Sequence, residues 1–207
     1  AKGQVKKSIK NISKYPEYKI KSNSGNEVEI SKMPIENARK LIIYLSNDNL
    51  PDKQKAIKFY KSEDVGLIHL FHLNDYKWLC EYLITITELE RYLEFREGIQ
   101  KLFGDTINDI SEQVIFGKFV SGHVISKIDV SYLKYYENFD EDINDFNFLP
   151  YLSIFKEKII GQVRKSDYLL ILTNIVKLNR HELNEFKLRF NKSLEISKQD
   201  IYSKPFR

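Results

Sequence analysis

A single cysteine, Cys80, rules out an internal disulfide framework and any zinc site built on several thiolates. Eight glycines leave little material for a backbone phosphate cradle, and no Gly-rich phosphate loop, G-x-S-x-G or C-x-x-C motif occurs. No apolar run approaches the ~20 residues that a membrane-spanning helix needs. Ala1-Lys2-Gly3-Gln4 offers neither the apolar core of a secretory signal nor an initiator Met. Internal repeats and low-complexity tracts are absent as well. The expectation is a soluble, cytoplasmic protein without a membrane partner, and a candidate piece of a longer one. What is present is ordinary for a globular chain. Of 207 residues, 42% are hydrophobic and 30% charged, too apolar for disorder and enough for one large domain or two small ones.

Acids are missing from one stretch in particular. The first sixteen residues hold five lysines (Lys2, Lys6, Lys7, Lys10, Lys14) and no Asp or Glu. The net charge of +4 conceals blocks of about +8 over 1–62, −10 over 63–155 and +6 over 156–207. A local basic surface attracts phosphate even on a nearly neutral chain. The ordinary reading of the lysine run is a solvated helix face or a frayed tail; the alternative is contact with nucleic acid.

The hydrophobic spacing predicts an α+β fold with more helix than strand. Val5, Ile9 and Ile12 give a short amphipathic helix that Pro16 ends. Two alternating runs around Ser22–Asn26 predict a β-hairpin. Pro34 is expected to open a helix with Ala38, Leu41, Ile42 and Leu45 on one face, then a loop with some helical character over 46–64. Val65–Leu73 reads as a buried strand. Beyond it the chain turns into a helical, bundle-like half. Asn74 is placed as a cap, Thr87 and Glu90 as a capping box opening a helix that Gly104 stops, and another helix over 108–120. Residues 121–148, rich in acid and Phe, are expected to form an ordered surface loop or insertion; a lid, an interface, a nucleic-acid mimic or disorder are the alternatives. Helices follow from Pro150, over 166–178 and over 180–198, the last with Leu183, Phe186, Phe190 and Leu194 inward. The parts are 1–73, mixed, and 74–207, mainly helical, unless the two form one continuous domain. The expected core is Ile42, Leu45, Ile68, Leu70, Leu79, Leu83, Leu89, Tyr92, Leu93, Phe186 and Phe190.

Glu17-Tyr18-Lys19 is the one catalytic-looking tripeptide. An acid and a lysine two apart on a strand share a side, as in restriction-type nucleases, where the acid holds Mg²⁺ and the lysine stabilises the attacking water or phosphate charge. A second carboxylate is needed, and only Glu27 or Glu29 across the hairpin offers one. The competing reading is a solvated strand face. His69 and His72, i and i+3 on a strand, point to opposite faces and do not converge on one metal. His69 fits a hydrogen-bonded core or interface histidine and His72 a partly exposed strand end. Arg180-His181-Glu182 resembles no metal motif, and Cys80 is expected to be inert packing. No metal site and no cofactor are expected.

Gly66-Leu67-Ile68-His69-Leu70-Phe71, then Thr85-Ile86-Thr87-Glu88-Leu89 and Tyr92-Leu93-Glu94-Phe95-Arg96-Glu97, form a block. It resembles one in large prokaryotic proteins that carry a restriction-endonuclease-like segment near the N-terminus. The matching positions are Gly66, His69, Thr85, Ile86, Glu88, Leu89, Tyr92, Leu93, Arg96 and Glu97, within a likeness that covers about residues 1–120; Lys177-Leu178-Asn179-Arg180 fits loosely. Ile84 and Tyr82 stand where that pattern has acids. The resemblance implies that the nuclease-like carboxylates and lysine lie upstream of Ala1. It further implies that this chain is an accessory, nucleic-acid-contacting part of a defence-type nuclease. DNA or RNA would then be held by Lys6, Lys7, Lys10, Lys14, Lys187, Arg189 and Lys192, through phosphate contacts without base readout. Two other readings stand beside it. One is a protein–protein or homo-oligomer module, or a partner of an upstream nuclease domain, in which acidic and basic blocks pair. The other is a small Mg²⁺-dependent nuclease using Glu17 and Lys19.

Overall fold

In the computed structural model of the chain, the described residues are 2–15, 19–21, 27–29, 38–45, 51–83, 85–122, 124–143, 148–160 and 165–198. The amphipathic N-terminal stretch forms helix α1, Lys2–Lys14, with Val5, Ile9 and Ile12 half-buried and Lys6, Lys7, Lys10 and Lys14 exposed. Strands β1, Lys19–Lys21, and β2, Glu27–Glu29, pair antiparallel as the hairpin, with Lys19 opposite Glu29 and Lys21 opposite Glu27. Opposite charges directly across such a pair support the register.

The helix expected after Pro34 is not there where the structure describes it. Residues 40–44 form strand β3, Lys40–Tyr44, and Leu45 is 73% exposed rather than core. Leu-Ile-Ile-Tyr is a β-branched and aromatic run too short for its spacing to separate helix from strand, and a parallel neighbour decides it. That neighbour is strand β5, Gly66–His72, the buried strand the sequence predicts. The expected loop over 46–64 also holds regular structure: a turn of helix α2, Asp52–Lys55, and strand β4, Phe59–Ser62. β4 returns antiparallel to β5 through a turn at Gly66, whose φ of 76° suits glycine. The sheet order is β3-β5-β4.

Helix α3, Leu73–Tyr82, starts one residue before Asn74, and the Asn74 backbone N–H donates to His72 Nδ1 at 3.3 Å instead of Asn74 capping the helix. Cys80 is exposed on α3, not packed. Helix α4, Ile86–Phe103, is capped two residues earlier than predicted. Glu88 N–H donates to Thr85 Oγ1 at 3.1 Å, and Thr85 N–H donates to Glu88 Oε2 at 3.4 Å. Gly104, at φ 58°, ends α4 and opens a 3₁₀ turn, Gly104–Asp109. Ser111 then caps helix α5, Glu112–Val120. The expected loop over 121–148 contains a 3₁₀ turn, Val130–Tyr132, and helix α6, Leu133–Ile143. Helices α7, Leu149–Ile160, α8, Lys165–Ile175, and α9, Arg180–Lys198, complete an α+β, predominantly helical fold.

The chain divides into two compact units, Ala1–Lys77 with Phe103–Asp109, and Trp78–Leu102 with Ile110–Arg207. The first buries Phe59, Val65, Ile68, Phe71 and Ile107. The second buries Leu79, Tyr82, Leu83, Tyr92, Leu93, Ile99, Val114, Ile115 and Phe116, and a further cluster of Phe148, Tyr151, Ile175 and Leu183. Phe186 and Phe190 pack half-buried against that cluster, whereas Leu194 is exposed at 37%. Close backbone approach explains Gly117, because a Cβ there would collide with the Tyr132 carbonyl.

Candidate functional site

The helical period of α1 sets its apolar stripe and its lysines on different sides. Val5, Ile9 and Ile12, with Gln4 and Ser8, line an open groove of about 430 Å³ whose other wall is Ala38–Ile43. Lys6, Lys7, Lys10 and Lys14 lie off that stripe and are exposed. Lys6 is 3.5 Å from Asp64, and Lys14 sits 5.5 Å from the centre of the Tyr15 ring. Among the described residues no acid lies within ion-pair distance of Lys7 or Lys10.

The other basic candidates are spread along α9. Lys187 is half-buried, Lys192 is exposed, and Arg189 lies 3.8 Å from Glu185 one turn back. An exposed pair of that kind contributes little to stability and leaves the guanidinium largely hydrated. Of the nuclease-like tripeptide, Glu17 lies outside the described residues, while Lys19 is exposed at the start of β1. His69 is fully buried between Phe59, 4.9 Å away between ring centres, and Phe71. His72 is half-buried, edge-on to Tyr44. The two histidines are not brought together. Among the described residues no group of three or more His, Cys, Asp and Glu could hold a metal ion. No helix of the described residues is long and apolar enough to cross a membrane.

One polar cluster escaped the sequence reading as a unit. Thr85, Glu88, Tyr92 and Arg96 follow at three- and four-residue spacing along α4 and are all buried. Arg96 grips Glu112 of α5 with a fork, Nε to Oε1 at 2.8 Å and Nη2 to Oε2 at 3.1 Å, and the Tyr92 hydroxyl is 2.5 Å from the same Oε1. Arg180, opening α9, bonds Glu88 Oε1 at 3.1 Å and the Tyr82 carbonyl, and lies over the Phe139 ring at 4.2 Å. Thr87 Oγ1 donates to the Val176 carbonyl at 2.9 Å. Nearby in sequence, Lys118 is buried, its ammonium 2.8 Å from the Tyr132 hydroxyl. The signal that could have found this spine is four polar residues recurring on the apolar side of one helix, where buried polar groups must be partnered. Most of the chemistry-bearing residues of the recurring block belong to this spine. They hold helices together; every one of these carboxylates and guanidiniums is turned onto another protein group.

No protein-family model matches this chain, and no curated protein or solved structure matches it. The geometry therefore carries the functional argument alone. It sorts the charged candidates into groups bonded inside the helical unit and groups presented to solvent, and the lysines of α1 are the densest set of the second kind.

Proposed function

We propose that this chain is a non-catalytic, nucleic-acid-contacting accessory module, and that the outer face of α1 makes the contact. The observation that carries the reading is the lysine face of α1, exposed over Lys6, Lys7, Lys10 and Lys14 on a helix without a single acid. The mechanism is neutralisation of phosphate by ammonium with release of counterions, which positions a strand or duplex without reading its bases. Lys187, Arg189 and Lys192 are secondary contacts at most, because Arg189 already has Glu185 and Lys187 is half-buried. The resemblance to nuclease-bearing prokaryotic proteins supports the same reading, with catalysis supplied by another segment.

Fluorescence anisotropy with labelled duplex and single-stranded oligonucleotides tests it. Binding is expected on the order of micromolar at physiological salt, falling steeply as salt rises. Changing Lys6, Lys7, Lys10 and Lys14 together to Gln should flatten the slope of log affinity against log salt by up to about four units. A flat titration of both probes at low ionic strength overturns the proposal. Mg²⁺-dependent cutting by the purified chain, abolished by Lys19→Ala, would replace it with the nuclease reading. The module reading draws on one observation, the pairing of Arg180 from the basic end with Glu88 from the acidic middle. It expects no oligonucleotide binding at all.

A further inference from the structure

The side of α1 away from its lysines has its own chemistry. The groove is open and mainly aliphatic, with Val5, Ile9 and Ile12 on the helix wall and Leu41, Ile42 and Ile43 on the strand wall. The only charged residues lining it are Arg39 and Lys40, both cations. β3 stands at the end of the order β3-β5-β4 and pairs with β5 alone among the described strands. In a parallel ladder successive residues direct their backbone N–H and C=O to alternate sides. About half of those groups in Lys40–Tyr44 therefore face the outer edge, where a further strand could take them. Ile43 is 43% exposed on this strand, so an apolar partner has surface left to cover.

These features fit one kind of occupant. A nucleic-acid strand would have to strip water from its phosphates against six aliphatic side chains, which is unfavourable. An extended peptide meets the backbone edge, the aliphatic walls and the cationic rim together. We propose that the groove between α1 and β3 docks an extended peptide segment of alternating apolar and acidic residues, added to the sheet as a strand beside β3. Main-chain hydrogen bonds to β3 would supply the affinity common to all such segments. Apolar side chains would enter the groove, and acids would lie along Arg39 and Lys40. This surface and the lysine face of α1 lie on different sides of one helix, so the two proposals stand or fall separately.

The test uses the whole chain and a fluorescein-labelled peptide of about ten residues alternating Val and Glu, long enough to pair with β3 along its length. Binding is expected with a Kd on the order of 10–100 µM. A Val/Lys peptide should bind at least about tenfold more weakly, because it meets the cationic rim with like charge. Methylating every second backbone nitrogen of the Val/Glu peptide should abolish binding in one of its two registers, because the donors to β3 are gone. Amide resonance shifts should concentrate at residues 4–12 and 38–43. Ile9→Asp should weaken binding by about tenfold or more with the far-UV spectrum unchanged; if that variant unfolds, the methylated peptides still decide. No binding of the Val/Glu peptide at millimolar concentration overturns the proposal. So does equal binding of both methylated forms, resonance shifts confined to other residues, or displacement of the peptide by an oligonucleotide whose own binding is lost in Ile9→Asp.

Discussion

In α4 the charge points inward and is matched; in α1 it points outward and is mostly unmatched. Arg96 has no accessible surface and meets Glu112 through a two-point fork, while Tyr92 and the Thr85–Glu88 box occupy the same buried side of the helix. Lys7 and Lys10 of α1 face solvent. The same residue types thus serve opposite ends. A buried pair confers position: removing one partner leaves the other desolvated and unpaired, so the pair enforces how α4 meets α5. An exposed lysine row confers field, felt over roughly a Debye length of about 10 Å at moderate salt, and costs little to change.

The largest effect should come from breaking the buried side of the comparison. Arg96→Ala strands the Glu112 carboxylate and should lower unfolding stability by roughly 3–5 kcal/mol, read from the urea midpoint. The double change Arg96→Met with Glu112→Leu should recover most of that loss, because an apolar pair of similar volume has no charge to desolvate. A double variant as unstable as Arg96→Ala would mean that shape, not unpaired charge, governs the site. Next comes Leu93→Ala, on the same helix and 3% exposed, expected to cost roughly 2–5 kcal/mol through lost burial and the cavity left behind. An unchanged midpoint would contradict the packing of α4. By contrast, the fourfold Lys→Gln change on α1 should move the midpoint by no more than about 0.5 kcal/mol.

A smaller effect separates two capping boxes. Thr85→Ala should cost about 1 kcal/mol, since its hydroxyl accepts the Glu88 N–H, whereas Glu90→Ala, at an exposed position, should change little. The reverse order of effects would restore the box at Thr87 and Glu90. This pair shows how far the sequence could be read. Thr-x-x-Glu spacing occurs twice, at 85–88 and 87–90, and spacing alone cannot choose. The choice is made in three dimensions, by Arg180 on Glu88 and by the Val176 carbonyl on Thr87. Helix α9 was legible to the residue because nineteen residues of steady period outweigh any neighbour. β3 was not, because five residues fit either period and the parallel partner arrives from twenty-eight positions away in register. The lysine face of α1 was legible for the reason α9 was. The polar spine was visible only as separate letters, since Glu112 and Arg180 reach α4 through tertiary structure.

The smallest effect concerns a charge pair that belongs to neither class, matched yet exposed. Lys127 lies 2.8 Å from Asp129 just before the 3₁₀ turn Val130–Tyr132, and Asp129 also accepts from the Ser131 N–H at 2.9 Å and the Ser131 hydroxyl. The hydrogen bond from Lys127, then those from Ser131, hold the Asp129 carboxyl well below the usual carboxylate range. The same hydrogen bond from Asp129 raises the Lys127 ammonium above its ordinary value. A carboxyl depressed in the folded state stabilises it above the unfolded pKa of about 4, and that contribution fades as pH falls through the folded value. The raised lysine contributes below its unfolded value of about 10, and its share is lost as pH rises beyond. Both contributions are therefore whole between roughly pH 4 and pH 10. Carbon-detected titration of Asp129 should place its midpoint below that of an ordinary aspartate, and Lys127→Ala should move it back towards that value. Salt at about 1 M should do part of the same, because solvent reaches both groups. An ordinary midpoint in the unaltered chain would show that water had replaced Lys127 at the carboxylate. The buried fork of Arg96 and Glu112 should be nearly insensitive to the same salt, which is the sharpest physical contrast between charge that solvent can reach and charge that it cannot.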